Sequence, residues 1–154
     1  MDRRDVMKNA AVALGGMVVG TQAATAFAQD SKKGSAGAKS ALAKKRGAYA
    51  KLSAALSECI NSCEVCIELC RSQLADGETI MNECFQKCLD LLPVCESTRT
   101  LANYGSELTA AQAKVCQEAC KACAQACKAH ADHHPECKAC YEDCLKCAEE
   151  CGKI

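Results

Sequence analysis

Four stretches of the chain carry an apolar residue at every third or fourth position, and at most of those places the residue is cysteine. The first stripe runs Tyr49, Leu52, Leu56, Cys59, Cys63, Cys66, Cys70. The second is Cys84, Cys88, Leu91, Cys95, with leucine at the one place that lacks sulfur. The third is Cys116, Cys120, Cys123, Cys127, and the fourth is Cys137, Cys140, Cys144, Cys147, Cys151. Residues three and four apart are neighbours on one helix face, so the pattern predicts four helices, each with a thiol-bearing stripe. Leucine and isoleucine usually hold such seams.

Local signals set the expected boundaries. The first helix spans 41–75 and stops at Gly77, a residue suited to the left-handed position after a helix. The second spans 79–104, contains Pro93, which frees the Leu89 carbonyl and should bend the helix, and ends at Gly105. Thr109 and Gln112 have capping-box spacing for the third helix, which reaches about His130. Pro135 suits the first turn of the fourth, which ends near Gly152. Three short connections make neighbouring helices antiparallel. The fold class is therefore all-α, an up-down-up-down four-helix bundle with a cysteine-lined core. The register sets Cys70 beside Cys84, Cys59 beside Cys95, Cys127 beside Cys137 and Cys116 near Cys147. Charges such as Glu64, Glu68, Lys87, Glu118, Lys121, Lys138 and Lys146 fall on outer faces, where they solvate the bundle.

Length and charge narrow the function. A chain of 154 residues suits one small domain. A formal net charge of zero points away from nucleic acid and anionic membrane surfaces. The N-terminal segment Asp2-Arg3-Arg4-Asp5-Val6-Met7-Lys8 resembles a twin-arginine signal. An apolar run over 10–19 and the A-x-A site Ala26-Phe27-Ala28 follow, so residues 1–28 read as a signal peptide for export to the periplasm. That run is too short and too rich in glycine and alanine for a stable membrane span. Residues 29–39 read as a flexible linker, and 40–154 as the bundle.

Sixteen cysteines in so short a chain invite a disulfide reading first. A disulfide needs Cβ atoms about 3.5–4.5 Å apart, whereas stripe neighbours on one helix sit about 5–6 Å apart. Bridges between helices remain open, but two would staple a hairpin, and the second hairpin alone carries nine thiols. The Cys-x2-Cys pairs Cys63/Cys66, Cys120/Cys123, Cys137/Cys140 and Cys144/Cys147 have zinc spacing. A four-thiolate zinc site, however, keeps a net charge of about −2, and four of them would bury about −8 without a counter-charge. Iron–sulfur clusters carry a similar excess. Cu(I) is soft, prefers thiolates and accepts two or three of them. With bridging sulfurs, about one Cu(I) per thiolate leaves the core neutral. An empty core of protonated thiols is neutral too and packs as small apolar groups.

These stripes, with the leader, resemble the exported copper storage proteins, cysteine-rich four-helix bundles of methane-oxidising bacteria, over about 40–151. The resemblance implies Cu(I) storage on all sixteen cysteines, a homotetramer, and supply of copper to an exported copper enzyme such as membrane methane oxidation, or copper detoxification. Relatives tend to carry methionines near the start of the first bundle helix; here Ala48, Leu52 and Leu56 stand there. No catalytic constellation is visible, so the chain reads as a non-enzyme. Met81, His130, His133 and His134 gather at one end of the expected bundle and are candidate entrance ligands, because thioether and imidazole hold copper less firmly than bridging thiolate. Tyr49, Leu52, Leu56, Leu101 and Ile154 are expected to plug the other end.

Overall fold

In the computed structural model, Gly37 and residues 39–154 are described, and residues 39–154 belong to one compact unit. The leader and its proposed cleavage site lie outside the described residues, as does the linker apart from residues 37 and 39, both helical. Among the described residues five helices follow in order: α1 (39–48), α2 (Ala50–Ala75), α3 (Asn82–Tyr104), α4 (Thr109–Lys128) and α5 (Pro135–Cys151). A 3-10 turn, Thr79–Met81, leads into α3, and there is no strand among the described residues. No described helix is long and apolar enough to cross a membrane.

The stops fall where glycine permits them. After α2, Gly77 takes φ 94, and its N–H and that of Glu78 bond back to the carbonyls of Leu74 and Gln73. After α3, Gly105 takes φ 64, and its N–H and that of Ser106 reach Ala102 and Leu101. Both are Schellman closures, which satisfy terminal carbonyls and turn the chain sharply. Pro135 occupies the first turn of α5, where its missing N–H costs nothing. Residues stay helical through Pro93.

Three expectations are corrected. The first helix is not continuous: at Tyr49 (φ −101, ψ 9) the backbone leaves the helical region, and its N–H bonds Arg46 rather than the residue four back. Thr109 and Gln112 make no capping box. Thr109 is fully buried, so its hydroxyl needs a nearby acceptor and donates to the Ser106 carbonyl at 2.7 Å, while the Gln112 amide donates to Ser97 on α3 at 3.0 Å. Ser106 instead supports the turn by accepting the Leu108 N–H. The apolar end is also built differently. Leu52 and Leu56 are buried and Tyr49 and Leu101 half-buried, but Ile154 is 41% exposed. Thr98, Ala102, Thr109 and Ala113 complete that end instead.

Helix α2 packs against α3 and α5, and α4 packs against α3 and α5; the diagonal pairs α2/α4 and α3/α5 have no close backbone approach and reach each other only through sulfurs in the core. Buried alanines, among them Ala113, Ala124 and Ala148, let the helices approach closely. Gln117 donates to the Ala148 carbonyl at 3.0 Å and ties α4 to the end of α5. Outside, charges pair three or four residues apart on the same helix, as in Glu118–Lys121 and Asp143–Lys146; such exposed pairs contribute little beyond solubility.

Candidate metal centre

A helix with sulfur at alternating steps of three and four presents one continuous row of thiols inward. All sixteen cysteines are buried and free. Buried polar residues among the described ones are Ser62, Thr98 and Thr109; no lysine, arginine, aspartate or glutamate enters the core. The sulfur row therefore has no counter-charge except what it binds, and it tolerates thiolates only when cations arrive with them.

Neighbouring rows meet in opposite order. Between α2 and α3, Cys66 lies 3.7 Å from Cys84 and Cys59 4.0 Å from Cys95. Between α3 and α4, Cys84 meets Cys127 at 3.4 Å, Cys88 meets Cys123 at 3.6 Å and Cys95 meets Cys116 at 3.7 Å. Between α2 and α5, Cys66 meets Cys137 at 3.7 Å and Cys59 meets Cys144 at 3.8 Å. Of the neighbours anticipated from the turns, Cys70 with Cys84, Cys59 with Cys95 and Cys116 with Cys147 share groups or contacts. Cys127 and Cys137 share no group; each approaches Cys66 on α2 instead, at 4.0 and 3.7 Å.

The sulfurs assemble into groups whose members all lie within 4.8 Å of one another. Toward the Gly77 turn these are Cys66/Cys70/Cys84/Cys137, Cys66/Cys84/Cys88/Cys127 and Cys88/Cys123/Cys127/Cys140. Toward the Gly105 turn they are Cys59/Cys95/Cys120/Cys147 and Cys116/Cys147/Cys151. Successive groups share sulfurs: Cys66 and Cys84, Cys88 and Cys127, and Cys147 each belong to two. Isolated tetrahedral sites do not share ligands; bridged thiolate clusters do. Cys63 donates to the Cys88 carbonyl at 3.4 Å, and Cys144 touches both Cys59 and Cys140.

Without metal this core is a thiol network. The Cys66, Cys120 and Cys144 thiols are pushed far up, first because each donates to a neighbouring sulfur (Cys127, Cys116 and Cys123 respectively) and then because burial adds to it. One sulfur on each helix is pulled down. Cys59 and Cys116 accept chiefly from Cys120, Cys84 from Cys127, and Cys140 from Cys123.

The remaining candidates lie outside these groups. Met81 is 1% exposed and packs in the core at the Gly77 end. His130 and His134 are half-buried and His133 exposed in the turn after α4. No histidine joins a cysteine group among the described residues. Every cysteine is named by the sequence pattern; what the pattern does not reveal is which sulfurs are shared, since that depends on how far each helix is rotated about its axis.

A family model described as copper storage protein matches residues 45–154. The copper storage protein Ccsp from Streptomyces lividans, loaded with 10 copper equivalents, is 25% identical. That match covers 70% of this chain and 83% of that one, with a TM-score of 0.63. A cytosolic copper storage protein from Streptomyces lividans with five coppers is also 25% identical, covering 72% and 94% of the two chains with a TM-score of 0.64. No curated protein matches the chain.

Proposed function

This chain belongs to the copper storage protein family, and from that premise we propose that it stores many Cu(I) ions on its sixteen core thiolates. The observation that carries this reading is the sharing of sulfurs between successive groups in a core without counter-charge. The ligands are Cys59, Cys63, Cys66, Cys70, Cys84, Cys88, Cys95, Cys116, Cys120, Cys123, Cys127, Cys137, Cys140, Cys144, Cys147 and Cys151. Bridging thiolates let each Cu(I) be matched by about one thiolate, so filling keeps the core neutral and reaches about one copper per thiol. Each entering Cu(I) displaces thiol protons, and emptying returns them, so the helices need not refold.

We read the packing as an up-down-up-down antiparallel four-helix bundle, made of α2 to α5, with α1 as an extension before it. Copper passes through the Gly77 end. There the sulfur row reaches the turns at Cys70, Cys84 and Cys137, and Met81, His130, His133 and His134 supply weaker ligands. Buried Leu52, Leu56, Thr98 and Thr109 close the opposite end. The twin-arginine-like leader supports export to the periplasm. The stored metal would serve an exported copper enzyme or detoxification, and the working form is a homotetramer without enzymatic activity.

The test is an anaerobic titration of the reduced protein with Cu(I) and, separately, Zn²⁺, each against a competing chelator. A plateau near one Cu(I) per thiol is expected. A plateau near one metal per four thiols, or tighter binding of Zn²⁺ than of Cu(I), would overturn the reading.

A further inference from the structure

The sulfur groups divide into two sets. Three groups toward the Gly77 turn share members and hold eight sulfurs; two groups toward the Gly105 turn share Cys147 and hold six. No group has members in both sets. The sulfur contacts of 4.0 Å or less that join them pass through Cys144, which lies 4.0 Å from Cys140 in the larger set and 3.8 Å from Cys59 in the smaller.

The reason for this neck is on α3. Its row steps from Cys88 to Cys95 across Leu91, which is completely buried. Seven residues of helix rise about 10 Å, about twice the spacing between sulfurs three or four apart. Cys88 pairs in height with Cys63 and Cys123, and Cys95 with Cys59 and Cys116. Leu91 therefore stands level with the step from Cys140 to Cys144, on the helix diagonally across the core. An apolar side chain fills one quarter of the column at that level and offers copper nothing.

Resting on the storage reading above, we propose that the core holds two copper compartments and that Cys144 is the sulfur through which Cu(I) passes between them. Copper exchanges between thiolates by gaining a new sulfur before it leaves the old one, so the rate depends on an unbroken series of close sulfurs. Within each set a Cu(I) always has several. Between the sets it has Cys144.

The experiment follows Cu(I) transfer from a weak chelator to the reduced, metal-free full-length protein by stopped flow, with total capacity measured separately. The wild type is expected to fill in two phases. Cys144→Ala should slow the second phase about tenfold, corresponding to about 1.4 kcal/mol in the barrier, while lowering capacity by about the one copper that a single thiol accounts for. Cys120→Ala, the same truncation inside the smaller set, should lower capacity equally and leave the second rate unchanged. Leu91→Cys in the Cys144→Ala background should restore the rate by supplying sulfur at the same level. One phase in the wild type, or equal slowing by Cys144→Ala and Cys120→Ala, would overturn the two-compartment proposal while full capacity left the storage reading standing. Failure of the wild type to take up Cu(I) beyond a few equivalents would overturn both.

Discussion

The two ends of the core are built from the same helices and the same steps of three and four, yet they contain different chemistry. At the Gly77 end the rows carry sulfur up to the turns, in Cys70, Cys84 and Cys137, with Met81 behind them. At the Gly105 end the same rows continue as Leu52 and Leu56 on α2, Thr98 and Ala102 on α3, and Ala113 and Thr109 on α4. There each threonine hydroxyl is spent on a carbonyl of its own chain segment, Thr98 on Val94 and Thr109 on Ser106, both at 2.7 Å. One end offers soft ligands; the other offers packing with its polar groups internally satisfied. Helical periodicity decides that a position faces inward, and side-chain chemistry decides whether that place binds or seals.

Oxidation should erase the difference between the two ends most completely. Sulfurs on different helices sit 3.4–4.0 Å apart, as in Cys84/Cys127 and Cys66/Cys127, so modest shifts to the bonded distance of about 2.05 Å would form cross-helix disulfides. Oxidised protein, assayed without reductant, should lose most of its Cu(I) capacity. Undiminished capacity would mean that thiolates are not the ligands.

Substitution at the two ends should separate stability from capacity. Leu56→Ala is expected to cost about 2–5 kcal/mol in the metal-free protein without changing the number of coppers bound. Cys84→Ala should cost less, because it removes a single sulfur, and should reduce capacity. Denaturant unfolding followed by circular dichroism, with Cu(I) titration alongside, reads both. The same spectra should show the reduced, metal-free chain already helical, since Leu, Ala and protonated Cys form its core.

The thiols of the core also make metal-free stability depend on pH. Ten thiols, Cys66 and Cys120 among them, are raised above the ordinary value of 9.0, and four are lowered. A raised thiol favours the folded state while both states are protonated, and that contribution is lost as pH climbs past 9.0, where unfolded thiols ionise first. The lowered four act in the opposite sense but below 9.0, where they favour ionisation in the folded state alone, so they do not offset the loss above it. Metal-free stability should therefore fall above pH 9.0. A stability that held or rose there would overturn the raised thiols as the cause.

The smallest expected effect is kinetic. Met81→Leu combined with alanine at His130, His133 and His134 should slow chelator-driven copper removal severalfold and leave capacity unchanged. If the rate were unaltered, the Gly77 end would not be the entrance.

The helices, their inward faces and the identity of every thiol are legible in the order of residues along the chain. Those depend on steps of three and four, on Gly77, Gly105 and Pro135, and on side-chain type, all of them local properties. That order did not reveal the break at Tyr49 or the failed cap at Thr109. The hydroxyl of Thr109 is satisfied at Ser106 because the residue is buried against its neighbours, and burial is not a local property. Nor did it reveal that Cys127 and Cys137 both turn to Cys66, or that Cys144 alone links fourteen other sulfurs gathered in two sets. Those points follow from how the helices pack, because a rotation of one helix by a fraction of a turn changes which sulfurs touch while leaving every sequence spacing as it was.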